Sequence, residues 1–221
     1  MNRSGSHAIV RGVAGAALIV AYEAGAHHAV STPGLERLGL GLVLAPAGML
    51  ALGMAARSPR RALLLPLFVL AAAAVWMSRG ALARHYGWGL YLEHVLFNGA
   101  LGYLFGRSLA AGREPLCTQF AAMVRGRPLA PEIAAYTRRI TVAWTLFFAA
   151  IVAVSTALFA KASLEAWSTF ANYLTLPLAG LMFAVEHACR RIALPGVRAS
   201  GMLESIRAYR RSVGPGPAGL R

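Results

Sequence analysis

The sequence predicts an all-α fold: a polytopic integral membrane bundle of about six transmembrane helices with an amphipathic cytoplasmic loop. Three observations carry that expectation. Of the 221 residues, 57% are hydrophobic and only 14% charged, too apolar for an ordinary soluble domain. The apolar residues fall in runs long enough to cross a bilayer. The basic excess, a formal net charge of +14, lies between those runs. Charge placed in this way orients a membrane protein on an anionic leaflet. It argues against nucleic-acid binding, because no basic domain stands apart from the apolar runs.

The first expected span is 8–30. It follows a short polar head with Arg3 and Arg11 and has Glu23, His27 and His28 near its outer end. The same stretch also reads as a signal peptide: a basic start, an apolar Gly12–Tyr22 and the small residues Ala24-Gly25-Ala26. The second span is 38–56. These nineteen residues carry no charge and extend roughly 28 Å as a helix. Pro46 is expected to kink it. The third span, 62–82, continues past Met77, with Arg79 snorkelling outward. Arg84-His85-Tyr86-Gly87-Trp88 is an interfacial break. The fourth span, 88–106, contains Glu93, His94 and Asn98. The fifth, 140–160, is the cleanest. The sixth, 168–189, contains Pro177 and ends at Arg190-Arg191. A Gly/Pro-rich tail, 212–221, is expected to be disordered.

The break at 57–61 holds three arginines, and the loop 107–139 holds six: Arg107, Arg113, Arg125, Arg127, Arg138 and Arg139. The breaks that alternate with these carry one or two cations. The positive side faces the cytoplasm, which puts both termini inside. Within the loop, Leu116, Phe120, Met123 and Val124 recur at helical spacing and predict a short amphipathic helix on the inner leaflet. Pro131-Glu132 reads as a second helix start, running on into the fifth span. The two cysteines, Cys117 and Cys189, are expected to be free thiols. No histidine lies in the loop to activate Cys117.

Ionisable groups inside a bilayer are candidates for chemistry. Glu23 and His27 share a helix face, as do His94 and Asn98. Convergence of Glu23, His27, Glu93 and His94 would make a catalytic or proton-relay site, and His27, His28 and His94 would be the imidazoles of a divalent metal site. No ligand spacing matches an established metal motif, so no metal or cofactor is assigned. Hydration or pairing near the interface explains the same residues. Ser155, Thr156 and Asn172 read as interhelical hydrogen-bonding groups. Glu186-His187 beside Arg190-Arg191 reads as an inner salt-bridge cluster. The six loop arginines form a binding surface for an anionic partner, with guanidinium chemistry suited to lipid headgroups, a pyrophosphate or an acidic carrier protein.

The segments GRSLAAGREPLCTQFAAMVRG, PEIAAYTRRITVAWTLFF and ANYLTLPLAGLMFAVEHACRR resemble a family of small bacterial inner-membrane proteins. These are encoded among aryl-polyene or xanthomonadin-like pigment genes and are sometimes labelled ketosynthase. The resemblance is strongest over Phe105–Arg191. A condensing enzyme needs a soluble thiolase-type fold with a cysteine and paired His or Asn, which this chain does not supply. The resemblance implies an accessory role beside polyene or fatty-acid-like lipid synthesis, with membrane lipid and an acyl carrier protein or synthase components as partners. It identifies no catalytic residue. The alternatives from other classes are a membrane enzyme modifying a lipid product and a lipid or pigment exporter.

Overall fold

A computed structural model of the protein describes residues 3–125 and 129–194. The described residues form helices and no strand: α1 Arg3–Ser31, α2 Glu36–Arg57, α3 Arg61–Met77, α4 Arg79–Arg84, α5 Tyr86–Ser108, α6 Leu116–Arg125, α7 Pro131–Lys161, α8 Leu164–Ser168, a π-helical turn Thr169–Leu174, and α9 Thr175–Ala193. The stretch expected as a disordered tail, 212–221, lies outside the described residues.

Among the described residues, three stretches are long and apolar enough to cross a membrane: Glu36–Arg57, Pro131–Lys161 and the continuous Leu164–Ala193. Arg61–Met77 is apolar but shorter. Helices α1 and α5 have the length, at 29 and 23 residues. Their apolar character is interrupted by Glu23, His27 and His28 in α1, and by Glu93, His94 and Asn98 in α5. The outward surface of the apolar helices suits lipid rather than water. No residue of α3 is buried, and Leu63, Val69, Leu70 and Trp76 are each at least 64% exposed. Such a continuous apolar face exceeds what soluble monomers show.

Helix covers the expected third span, 62–82, with one break: α3 ends at Met77 and α4 begins at Arg79. Arg79 lies over the break, its Nη1 donating to the Trp76 carbonyl at 2.8 Å and its guanidinium 4.5 Å from the Trp76 ring centroid.

Contacts divide the chain into two compact units, Met1–Leu96 with Val154–Leu176, and Phe97–Ala153 with Pro177–Arg221. In the first, α1 packs on α2, α8 and the π turn, and α2 on α3 and α4. Ala26, Leu90, Trp167 and Ala171 form its core. Gly39 permits one close approach here. The Tyr86 ring lies over it, where a Cβ would meet Cδ2 at 2.3 Å, and the Tyr86 hydroxyl then donates to the Ala29 carbonyl at 2.9 Å. One aromatic side chain thereby ties α5 to α1 across α2.

In the second unit, Trp144 and Phe148 of α7 are buried. They pack with Phe105 of α5, and Trp144 also meets Phe183 of α9, with ring centroids 4.6 Å apart. Gly102 and Gly106 sit against Phe148 and Thr145 and keep α5 close to α7.

The π turn lies where Pro177 was expected to kink the sixth span. Proline has no N–H to give the carbonyl four residues back, and widening the turn before it reassigns the carbonyls there. The Phe170 carbonyl accepts both the backbone N–H and the hydroxyl of Thr175.

Candidate functional site

The basic loop contains a docked helix. Four backbone N–H groups at the start of any helix lack intrahelical partners. In α6 two of them find hydroxyls: Leu116 N–H donates to Ser108 Oγ at 2.9 Å, and Cys117 N–H to Thr141 Oγ1 at 3.2 Å. Gln119 N–H bonds the Pro115 carbonyl at 3.0 Å. One turn on, Thr118 and Thr137 hydroxyls lie 2.8 Å apart.

Proton directions follow from the remaining contacts. Ser108 donates to the Phe105 carbonyl, Thr137 to Ile133 or Ala134, and Thr141 to Thr137. Each of these hydroxyls spends its proton on its own helix and offers a lone pair to α6. Ser108, Thr118, Ala122, Thr137 and Thr141 are all buried. The helix start at Pro131 expected from the sequence is present, and α7 runs from it without interruption to Lys161.

The opposite side of α6 is apolar and open, with Phe120 38% and Met123 42% exposed. Arg107, Arg113, Arg138 and Arg139 are exposed, and the Arg107 guanidinium lies 5.9 Å from the Tyr103 ring centroid. Arg125 is the last residue of α6, and Arg127 lies outside the described residues. Cys117 and Cys189 are both free thiols. Burial pushes the Cys117 thiol up from its ordinary value, and Glu186 adds to this, against the lowering influence of Thr141 and Arg190. A protonated, part-buried thiol is a poor nucleophile.

In the same unit, the salt-bridge cluster expected at 186–191 is narrower than its sequence suggests. Glu186 is buried and accepts from Arg190 Nε at 2.8 Å, and its carbonyl accepts from the Tyr136 hydroxyl at 3.1 Å. His187 and Arg191 are exposed.

The first unit holds the other candidates. Glu93 is bonded by Tyr22 rather than by Glu23 or a histidine: the Tyr22 hydroxyl donates to Oε2 at 2.7 Å. Glu23 is half-buried and within electrostatic reach of Glu93. His28 is exposed, with Nδ1 3.4 Å from Thr32 Oγ1. Among the described residues, no three His, Cys, Asp or Glu side chains converge to hold a metal ion.

His94 and His27 sit in matching surroundings. His94 Nδ1 lies 3.1 Å from Ser155 Oγ, and Nε2 lies 3.2 Å from Thr175 Oγ1. Thr175 gives its proton to the Phe170 carbonyl, so it accepts from Nε2–H, and Ser155 donates to Nδ1. Ser155 in turn accepts the Trp167 indole N–H at 2.9 Å. For His27 the roles repeat. Ser31 gives its proton to the His27 carbonyl and faces Nε2 at 3.2 Å. Ser168 faces Nδ1 at 3.2 Å and accepts from Asn172 Nδ2 at 2.8 Å. Both rings thus carry their proton on Nε2 and accept a serine hydroxyl at Nδ1.

A serine hydroxyl on a histidine nitrogen is also the arrangement of nucleophilic catalysis. Here Ser155 and Ser168 are both 0% exposed, and a hydroxyl without exposed surface offers a substrate no approach. The arrangement links helices through satisfied hydrogen bonds. Tyr22, Trp167, Ser168 and Thr175 do not stand out in the sequence as partners of this network. Ser155 and Asn172 read from the sequence as hydrogen-bonding groups and belong to the network, and the missing N–H of Pro177 signals an irregularity upstream.

No family model, no curated protein and no solved structure matches the chain.

Proposed function

We propose that the protein is a non-enzymatic accessory of polyene or fatty-acid-like lipid synthesis. In this reading it lies in the bacterial inner membrane as a bundle of about six spans with both termini cytoplasmic. Its basic segment 107–139 docks lipid headgroups and the acidic face of an acyl carrier protein or synthase component.

The observation that carries the reading is the docking of α6. A solvated basic loop would need no buried threonines to hold a helix in place. Here Ser108 of α5 and Thr137 and Thr141 of α7 hold α6 in place, with Phe120 and Met123 open and Arg107, Arg113, Arg138 and Arg139 exposed. A fixed apolar ridge with exposed guanidinium groups suits an anionic surface better than a mobile loop does, because less ordering is needed on binding. The resemblance over Phe105–Arg191 supplies the biosynthetic setting, and the charge distribution between apolar runs supplies the orientation.

Affinity capture from membranes tests this, together with mass spectrometry of lipids and pigments in a deletion strain. The expected result is recovery of a carrier or synthase protein, lost when Arg107, Arg113, Arg138 and Arg139 are changed to Gln. Absence of any such partner, with an unchanged pigment and lipid profile in the quadruple variant, would overturn it.

A further inference from the structure

The outer face of α2 carries a groove that neither the basic loop nor the histidine network uses. It has a volume of about 370 Å³ and is lined by Met49, Leu50, Gly53, Met54, Arg57 and Ser58. Its chemistry changes along the helix axis. Met49, Leu50 and Met54 make the apolar part, each at least 66% exposed. Roughly 10 Å along the axis from Leu50, seven residues at 1.5 Å each, lies Arg57, followed outside the groove by exposed Arg60 and Arg61.

Gly53 shapes the junction. Arg57 Nη1 lies 3.5 Å from the Gly53 carbonyl, so the guanidinium folds back over the groove's end. A Cβ at Gly53 would come within 3.2 Å of that same nitrogen. Any larger side chain would therefore fill the groove and displace the cation together. Helix α2 is one of the stretches able to cross a membrane, so the apolar part of the groove lies where acyl chains are the solvent.

We infer that this groove binds one anionic glycerophospholipid, its acyl chain along Met49, Leu50 and Met54 and its phosphate at Arg57. The occupant follows from the polarity gradient. An apolar trough ending at Arg57 complements a molecule that is a hydrocarbon chain at one end and an anion at the other. Guanidinium–phosphate pairing supplies the preference over a zwitterionic lipid. A peptide would need partners for its backbone polar groups along Met49–Met54, and the lining there offers only side-chain methylenes and sulfur.

The test is native mass spectrometry of the full chain released from nanodiscs containing equal phosphatidylglycerol and phosphatidylcholine. Wild-type protein is expected to retain a phosphatidylglycerol adduct in preference to phosphatidylcholine. Occupancy should fall about tenfold in Arg57→Gln, the scale of one lost charge-assisted contact, and equally in Gly53→Leu. Gly48→Leu is the control on the same helix, since a Cβ there meets nothing within 4 Å, and it should leave occupancy unchanged. Arg57→Gln alters an exposed side chain, so it remains informative if Gly53→Leu fails to fold. Equal retention of the two lipids by wild type, or unchanged phosphatidylglycerol in Arg57→Gln, would overturn the inference and leave only annular lipid.

Discussion

His94 Nδ1 and Ser155 Oγ lie 3.1 Å apart, with Ser155 sealed from any surface and holding the Trp167 indole N–H on its other side. One hydroxyl therefore satisfies two ring nitrogens, and its loss removes that partner from both. Ser155→Ala is predicted to destabilise the protein by roughly 1–3 kcal/mol, the cost of leaving buried polar groups unpaired. The lower end is the more usual value for interhelical bonds in a membrane. Thermal unfolding in detergent, followed by intrinsic fluorescence, measures this. A melting temperature equal to wild type would show that the indole and imidazole find other partners readily.

The docking of α6 makes a second prediction. Thr141→Val and Thr137→Val keep side-chain volume and remove the lone pairs that hold Cys117 N–H and the Thr118 hydroxyl. Each change should weaken the hold on α6 by about 1 kcal/mol. Limited trypsin digestion should then cut after Arg113 faster than in wild type. Because the two threonines are neighbours in one network, the double variant is expected to depart from additivity. Identical digestion rates in all four proteins would mean that α6 is held by apolar contacts instead.

Thiol labelling separates the two cysteines. Burial raises the Cys117 pKa, so at any given pH its thiolate fraction is below that of an ordinary cysteine. The sign is that of an acid whose neutral form is favoured: labelling should be slow at neutral pH and accelerate only above the usual thiol range. In a Cys189→Ser background, maleimide should react with Cys117 more slowly at pH 7 than it reacts with Cys189, which is exposed, in a Cys117→Ser background. Equal rates would contradict the burial of Cys117.

Gly39→Ala tests the crossing of Tyr86 over α2. The added methyl would lie 2.3 Å from the ring, an overlap that must be relieved by moving the ring and breaking its bond to Ala29. A loss of about 1–3 kcal/mol is expected, as for other overpacked sites. Tyr86→Ala in the same chain should recover part of it by removing the obstacle. Failure of the second change to recover any stability would place the damage elsewhere.

Much of this arrangement was legible in the sequence for simple reasons. The α6 helix follows from the spacing of Leu116, Phe120 and Met123, and the start of α7 from Pro131 and Glu132. Both depend only on neighbours a few residues apart. The break at Ser78 was not legible, because a long cation at an apolar run's end, such as Arg79, reads as a side chain snorkelling from a continuous helix. Nor were the partners of Glu93 and the two histidines. Glu23 and His27 do share a face of α1, but Tyr22 reaches Glu93, and distances across 71 positions of chain leave no trace in a local pattern. The count of membrane-crossing helices is blurred by the same residues, since the acids and imidazoles that make α1 and α5 interesting also lower their apolarity.

The widened turn at Thr169–Leu174 alters how changes of chain length should be treated there. Relative to a regular helix it holds one surplus residue, and each residue of an α-helix advances the azimuth by about 100°. Shortening this hexapeptide by one position would therefore remove the surplus, let the wide turn close to a regular helix, and leave the later side chains facing as they do now. Point replacements at Asn172 and a one-codon deletion beside it are, for that reason, experiments on different properties: the first removes a contact, the second removes the wide turn itself.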